Sequence, residues 1–179
     1  MTGQTEFITD EAIYKRVILE AVFSAREFLW IGTADIKDLY VHKGKQMVPF
    51  LEILSDLAKQ GTAIRLLHAK EPGPAFRKDF DRYPGLITGM ERIMCPRVHF
   101  KTVVVDGKIA YSGSANLTGA GMGAKNPQRR NFETGFITTD PKLVEQIMEQ
   151  FDLIWMGKQC PQCQRKNFCT DYKDLMLNI

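Results

Sequence analysis

The sequence contains no run approaching the roughly 18 consecutive apolar residues that a membrane-spanning helix requires. Its opening stretch, MTGQTEFITDEAIYKRV, places no basic segment ahead of an apolar one, so it lacks the pattern of a secretory signal. Internal repeats and low-complexity segments are also absent. We therefore expect a soluble cytoplasmic protein that makes no stable membrane association.

The net charge is small, and histidine and cysteine are rare. The formal net charge is only +3, and the chain has three histidines and four cysteines. A charge so close to neutral is only a mild bias toward anionic partners.

Length and hydrophobicity favour a single core. The chain has 179 residues, of which 44% are hydrophobic, enough to bury one substantial core but not to build a second lobe. We predict one domain over residues 1–157. A short basic appendage that contains cysteines follows over residues 158–179.

Local patterns predict alternating strands and helices, and hence an α/β fold. Helices are expected from Thr9-Asp10-Glu11, over 48–57, and from Asp140-Pro141, where Asp is the N-cap and Pro the first helical residue. Strands are expected over 28–31, 63–68, 98–106, 109–111 and 132–138. The last helix has an apolar stripe that forms core or a dimer surface: Leu143, Val144, Ile147, Met148, Phe151, Ile154 and Trp155.

The segment 99–116, HFKTVVVDGKIAYSGSAN, combines H-x-K, an aspartate and G-S-x-N at fixed spacing. His99 and Lys101 fall on one face of the predicted strand 98–106. A neutral imidazole can attack phosphorus and divide a difficult displacement into formation and hydrolysis of a phosphohistidine. A fixed ammonium with amide and hydroxyl donors can stabilise the transition state without a metal ion. We assign His99 as nucleophile and Lys101, Asn116 and Ser114 as stabilising groups.

This pattern resembles the HKD signature of the phospholipase D superfamily, to which the chain is similar over about twenty residues. The matching residues are His99, Lys101, Asp106, Gly113, Ser114 and Asn116. The resemblance implies a mixed sheet flanked by helices on both faces. It also implies a phosphodiesterase that needs no cofactor for catalysis.

Three further residues complete the expected site. Glu133 resembles the family's downstream acidic residue, and we expect it to orient the second ring nitrogen of His99. The alternative for Glu133 is a solvated charge. Asp106 begins an Asp-Gly turn and is expected to be structural. Gly113 is expected to permit close backbone approach to the phosphate, where a side chain would block it.

The sequence contains only one complete motif. The resemblance implies that the active site needs two copies of the motif, which face each other. His68-Ala69-Lys70 repeats H-x-K, but no aspartate or G-S-x-N follows it at the motif spacing. A homodimer would bring His99 of each chain to one phosphate, so that one attacks and the other protonates the leaving oxygen. The alternative is a different partner chain that carries the second motif.

The loop that follows Asn116 contains three alternating glycines and then Lys125, Arg129 and Arg130. No strand and helix flank the glycines directly, so we reject a dinucleotide site. The basic residues could follow a nucleic-acid backbone or lie in a solvated loop.

The cysteines cluster in the sequence, since Cys160, Cys163 and Cys169 lie within ten residues of one another and Cys95 precedes the motif. In a cytoplasmic chain this pattern favours a structural Zn²⁺ site with Cys95 as the fourth ligand. Free or redox-paired thiols and an iron–sulfur cluster remain as alternatives.

Taken together, the patterns favour a metal-independent phosphodiesterase. We predict that it is a nuclease and that it works as a homodimer. The basic loop and the lack of a membrane helix favour nucleic acid over lipid. The alternatives are a phospholipase D or transphosphatidylase acting on phospholipids, and a non-catalytic nucleic-acid-binding subunit. An intact His99 and Lys101 argue against the last of these, because a binder needs no nucleophile.

Overall fold

A seven-stranded mixed sheet forms the centre of the structure, a computed structural model that describes residues 3–37 and 39–172. Its strand order is β1-β9-β8-β7-β2-β5-β6, and β3 and β4 form a separate hairpin. The strands are β1 (Thr5–Thr9), β2 (Phe28–Thr33), β3 (Tyr40–Lys43), β4 (Gln46–Pro49), β5 (Ala63–His68), β6 (Met90–Met94), β7 (Lys101–Val105), β8 (Ile109–Gly113) and β9 (Thr134–Thr138).

Strand direction divides the sheet into two parts. β2, β5 and β6 are parallel, whereas β7, β8, β9 and β1 join through antiparallel pairs. The connection from β2 to β5 runs through the hairpin and α2 (Phe50–Lys59). The connection from β5 to β6 runs through α3 (Pro74–Phe80) and α4 (Leu86–Gly89).

Helices cover both faces of the sheet, as the sequence led us to expect. One face packs against α2 and against an amino-terminal helix that begins as α1 (Glu11–Ile13) and continues as a π-helical segment, Tyr14–Ala21. The other face packs against α5 (Pro141–Trp155). None of the helices in the described ranges is both long and apolar enough to cross a membrane.

The carboxyl-terminal helix α5 begins where its capping pattern predicts. The Asp140 carboxylate accepts a 2.9 Å hydrogen bond from the Lys142 amide, and Pro141 is the first helical residue. Val144, Phe151 and Trp155 of the apolar stripe lie in the core, and Phe151 stacks on Trp30 of β2 at 5.1 Å between ring centroids. The guanidinium of Arg65 lies 5.3 Å from the Trp30 ring and adds a cation–π contact.

The structure differs from the sequence-based prediction in several segments. β1, β6 and the β3–β4 hairpin were not predicted. The second hairpin strand, β4, occupies 46–49, so α2 begins at Phe50 rather than at 48. β7 begins at Lys101, since a turn from the Cys95 carbonyl to the Val98 amide keeps the preceding residues out of the strand.

Beyond α5 the chain forms turns and one short 3-10 helix, Lys166–Phe168. The domain boundary at residue 157 remains a prediction. The end of the expected appendage, residues 173–179, lies outside the described residues.

Candidate active site

The sheet topology brings the motif residues to one end of the strands, called here the upper end. β2, β5 and β6 finish at this end, and β7 starts there because it runs antiparallel to β2. Lys101 therefore pairs with Gly113 of β8, and Gly113 pairs with Gly135 of β9. Residues far apart in sequence thus converge on the segment that carries His99.

His99 lies just before β7 and is exposed. In the described part of the chain its imidazole has no hydrogen-bond partner, so both ring nitrogens are open to other groups. The side chain is placed for access rather than packed into the core, which is the arrangement that attack on an external phosphorus requires.

Lys101 follows as the first residue of β7 and is only 8% exposed. Its Nζ donates a 2.6 Å hydrogen bond to the carbonyl oxygen of His99. That contact fixes the ammonium beside the histidine and leaves two of its N–H donors for other oxygens. A buried, positioned cation is what stabilisation of phosphoryl oxygens requires.

Asn116 is held by residues that follow β2. Its Oδ1 accepts a 3.1 Å hydrogen bond from the Asp35 amide. The Thr33 hydroxyl donates 2.9 Å to the Asp35 carbonyl oxygen and lies 3.4 Å from the same Oδ1. Thr33 is only 1% exposed, and its hydroxyl also accepts 3.0 Å from the Leu117 amide. Because Oδ1 already accepts a hydrogen bond from the protein, the Nδ2 group of Asn116 is the donor that remains for a ligand.

Thr33 and Asp35 were not identified from the sequence. Thr33 is the last residue of the apolar strand FLWIGT, and a threonine at the end of a strand does not by itself indicate a functional site. Its position beside Asn116 depends on contacts across 83 residues of chain.

We expect Thr33→Val to lower kcat about tenfold with little effect on KM, because it removes the hydroxyl that bonds to Asp35 and Leu117, the two residues that position Asn116. Steady-state kinetics of the purified variant would measure this. Thr33→Ser retains the hydroxyl and should stay within about twofold of wild type. Equal losses in the Val and Ser variants would assign Thr33 a packing role only.

Glu133 is fixed immediately before β9 and is buried. Its carboxylate accepts a short hydrogen bond from the Ser114 hydroxyl and a 2.9 Å bond from the Asn131 amide group. The backbone amide of Glu133 donates 3.0 Å to the Asp10 carboxylate. In this arrangement Glu133 orients Ser114, while its contact with His99 remains a prediction.

Asp106 lies at the opposite end of β7 from Lys101. Its carboxylate accepts hydrogen bonds from the backbone amides of Arg26, Glu27 and Phe28, at 2.8 to 3.2 Å. These contacts cap the start of β2. The motif aspartate therefore occupies a structural position away from the candidate site.

Gly113 is constrained by protein atoms. A Cβ added there would lie 2.5 Å from the Thr134 carbonyl oxygen and 2.8 Å from the Gly135 Cα. The close approach is thus between β8 and β9. Any larger residue would separate the strands that carry Ser114 and Glu133.

His68 ends β5 and is buried. Its Nδ1 lies 2.8 Å from the Lys70 carbonyl oxygen, and burial lowers the pKa of the imidazole. Lys70 in turn pairs with the Asp35 carboxylate at 3.1 Å. Burial tends to raise the pKa of Asp35, but Lys70 and Lys37 outweigh it and the pKa is lowered.

The loop after Asn116 leaves the upper end and returns to it at the start of β9, where the Thr134 carbonyl oxygen accepts a 2.9 Å hydrogen bond from the Ser114 amide. Lys125 and Arg129 are exposed. Arg130 is half-buried and forms a 3.2 Å ion pair with Glu11. Two of the three predicted basic residues are therefore directly available to a ligand.

The four cysteines line a single cavity of about 210 Å³. It lies beside the segment that precedes His99, since Cys95, Arg97 and Val98 also line it. All four thiols are free and half-buried.

Comparison with known proteins gives a family match over most of the domain. The family described as "Cardiolipin synthase, PLD-like domain" matches residues 18–155. A curated relative, mitochondrial cardiolipin hydrolase from Chlamydomonas reinhardtii, is 24% identical over 106 residues. That alignment covers 58% of this chain and 44% of the relative, so the chain spans less than half the length of that protein.

Two bacterial structures share the fold. Nuc from Salmonella typhimurium, a phospholipase D family member, superposes with a TM-score of 0.61 at 18% identity, covering 86% of this chain and 94% of Nuc. NucT from Helicobacter pylori also gives 0.61, at 14% identity, covering 84% of this chain and 94% of NucT.

Proposed function

Because the chain belongs to the phospholipase D superfamily, whose members are phosphodiesterases and hydrolases, we propose that it hydrolyses phosphodiesters through a phosphohistidine on His99. The observation that carries this proposal is the pairing of an exposed His99 with a buried Lys101 bound to its carbonyl oxygen. A nucleophile and a charge-stabilising group are then fixed relative to each other before any substrate binds.

In the proposed reaction a ring nitrogen of His99 attacks phosphorus, and the bond from phosphorus to the leaving oxygen breaks as an acid protonates that oxygen. Water then attacks the phosphohistidine, which releases the phosphate monoester and restores the imidazole. Lys101 and the Nδ2 group of Asn116 donate to the phosphoryl oxygens in both transition states. These donors allow the displacement to proceed without a catalytic metal ion.

The acid is proposed to be His99 of a second copy in a C2 homodimer. Support comes from the single complete motif and from the open imidazole of His99 at the upper end. Phe132, directly before Glu133, is 96% exposed, and an interface around the two-fold axis would cover this apolar side chain.

A shared site predicts a strong effect in mixed dimers. We expect tag-purified heterodimers of wild-type and His99→Asn chains to have far less than half of wild-type turnover, because one histidine cannot serve as both nucleophile and acid. Turnover is measured under conditions that prevent subunit exchange. Activity should also fall on dilution below the dimer dissociation constant. Heterodimer activity at half of the wild-type value would mean that each chain works alone.

The proposed substrate is nucleic acid. Lys125 and Arg129 are exposed on a loop that starts and ends at the upper end, where they can contact a phosphate backbone beyond the scissile bond. A phospholipid is the second candidate, since the matched family and the curated relative are both named for cardiolipin. A non-catalytic nucleic-acid-binding role is less well supported, because binding alone makes no use of a fixed His99–Lys101 pair.

The substrate test is hydrolysis of labelled DNA, RNA, and phosphatidylcholine or cardiolipin vesicles, with EDTA added together with the substrate. The His99→Asn protein gives the background. We expect cleavage of DNA or RNA with the vesicles left intact. Cleavage of lipid alone would reassign the substrate, and binding of nucleic acid with no cleavage in any arm would support the binding role.

We also propose a cytoplasmic location. The four free thiols are compatible with a reducing compartment. The curated relative is called mitochondrial, so fractionation of cells that express the full chain is the direct test.

A further inference from the structure

The carboxyl-terminal appendage is docked onto the segment that leads to His99. The Asp171 carboxylate accepts 2.7 Å from the Met94 amide, and the Cys169 thiol donates 3.5 Å to the Met94 carbonyl oxygen. The Arg165 guanidinium donates 3.1 Å to the carbonyl oxygen of Pro96. Three residues of the appendage thus contact 94–96, just ahead of His99.

The four cysteines also lie where the appendage meets the segment before His99. Cys95 comes from the segment after β6, and Cys160, Cys163 and Cys169 come from the appendage, yet all four line one cavity of about 210 Å³. Chain segments separated by more than sixty residues in sequence therefore bring every cysteine of the protein together. Such a convergence is unexpected for cysteines that serve only as small apolar residues.

The turn at Cys160-Pro161-Gln162-Cys163 has backbone geometry suited to a thiolate. The Cys163 amide donates 3.0 Å to the Cys160 carbonyl oxygen, which closes the turn. The Arg165 amide donates 3.4 Å to the Cys163 sulfur. Donation to sulfur stabilises the charged form that ligates metals.

We propose that Cys95, Cys160, Cys163 and Cys169 bind one Zn²⁺ ion as a tetrahedral thiolate site that fastens the appendage to the segment before His99. Four sulfur donors select a thiophilic ion over Mg²⁺ or Ca²⁺. As they stand, no three His, Cys, Asp or Glu side chains in residues 3–37 and 39–172 are close enough to hold a metal ion. Binding therefore draws the thiols inward across the cavity and releases their protons to solvent.

The test is the metal content of the full chain purified without chelators. We expect about one zinc ion per chain in the wild type and less than about a tenth of an ion in Cys163→Ser or Cys95→Ser. His42→Asn is the matched control, because His42 is an exposed potential ligand on the β3–β4 hairpin, and it should keep its zinc. Chelation should lower the melting temperature of the wild type but not that of Cys163→Ser.

Cobalt keeps the test decisive if a serine variant does not fold. Metal-free wild type titrated with Co²⁺ should develop thiolate-to-cobalt charge-transfer bands and the visible bands of tetrahedral cobalt, saturating near one ion per chain. A zinc content below about a tenth of an ion, with four thiols open to titration and no such bands, would overturn the proposal. A disulfide between any two of the four cysteines in freshly purified protein would overturn it as well.

Discussion

Replacing His99 with asparagine is expected to reduce phosphodiester turnover by more than about a thousandfold, because asparagine is polar but cannot form the phosphohistidine. His99 is exposed and its ring makes no hydrogen bond within the described residues, so the substitution should leave folding and dimerisation intact. Initial rates on the substrate identified above, with circular dichroism and sedimentation as checks on structure, measure both parts of this expectation.

His42→Asn is the matched control for that variant. His42 is also exposed, on the β3–β4 hairpin, where it lines a pocket with Lys125 rather than with His99, so its removal should leave kcat unchanged. Retained activity in His99→Asn would remove His99 as nucleophile. Equal losses in both variants would indicate a general effect on the protein.

The second large effect is expected for Lys101→Ala, which should lower kcat by about a hundredfold to a thousandfold. The variant removes the cation that stabilises charge on the phosphoryl oxygens, and that stabilisation is greatest in the transition state. The loss should therefore appear in kcat and in kcat/KM alike.

Burial of Lys101 calls for a control of similar volume. Lys101→Met keeps the length of the apolar stem and fills the same space without the charge, so it should lose activity as Lys101→Ala does. Lys108→Ala removes an exposed lysine at the far end of β7 and should have no effect on turnover. An effect of Lys101→Ala on KM alone would make Lys101 a substrate-binding residue.

Local sequence signals predicted the elements that depend on local chemistry. α5 begins at Pro141 with Asp140 as its cap, since capping is an interaction between residues two or three apart. β5 was predicted with its observed bounds, because its apolar residues lie between a glycine and a proline-rich loop. The motif itself was recognisable because H-x-K and G-S-x-N lie on adjacent strands, β7 and β8, joined by a short turn.

Long-range pairing explains what the sequence did not reveal. β1 becomes a strand by pairing with β9, about 130 residues away, and its own residues are mostly exposed. The support of Asn116 by Thr33 also depends on the placement of β2 beside β7. Neither arrangement leaves a periodic signal in the segments concerned.

The candidate site also combines residues that local sequence patterns indicate with contacts that depend on long-range strand pairing. Residue types and spacing indicated His99, Lys101 and Asn116 as a reacting set. The side-chain network around them, including the contact of Glu133 with Ser114, required the register of β8 with β9. The expectation that His99 would lie within a strand was wrong because β7 begins at Lys101.

The stereochemical course at phosphorus tests the central claim most directly, because it reports whether a covalent intermediate forms. The substrate is an isotopically labelled phosphorothioate diester of known configuration, hydrolysed by the wild-type protein in the presence of EDTA. Attack by His99 and then by water inverts phosphorus at each displacement, so we predict overall retention of configuration. Overall inversion would mean that water attacks the diester directly, and it would contradict the phosphohistidine mechanism.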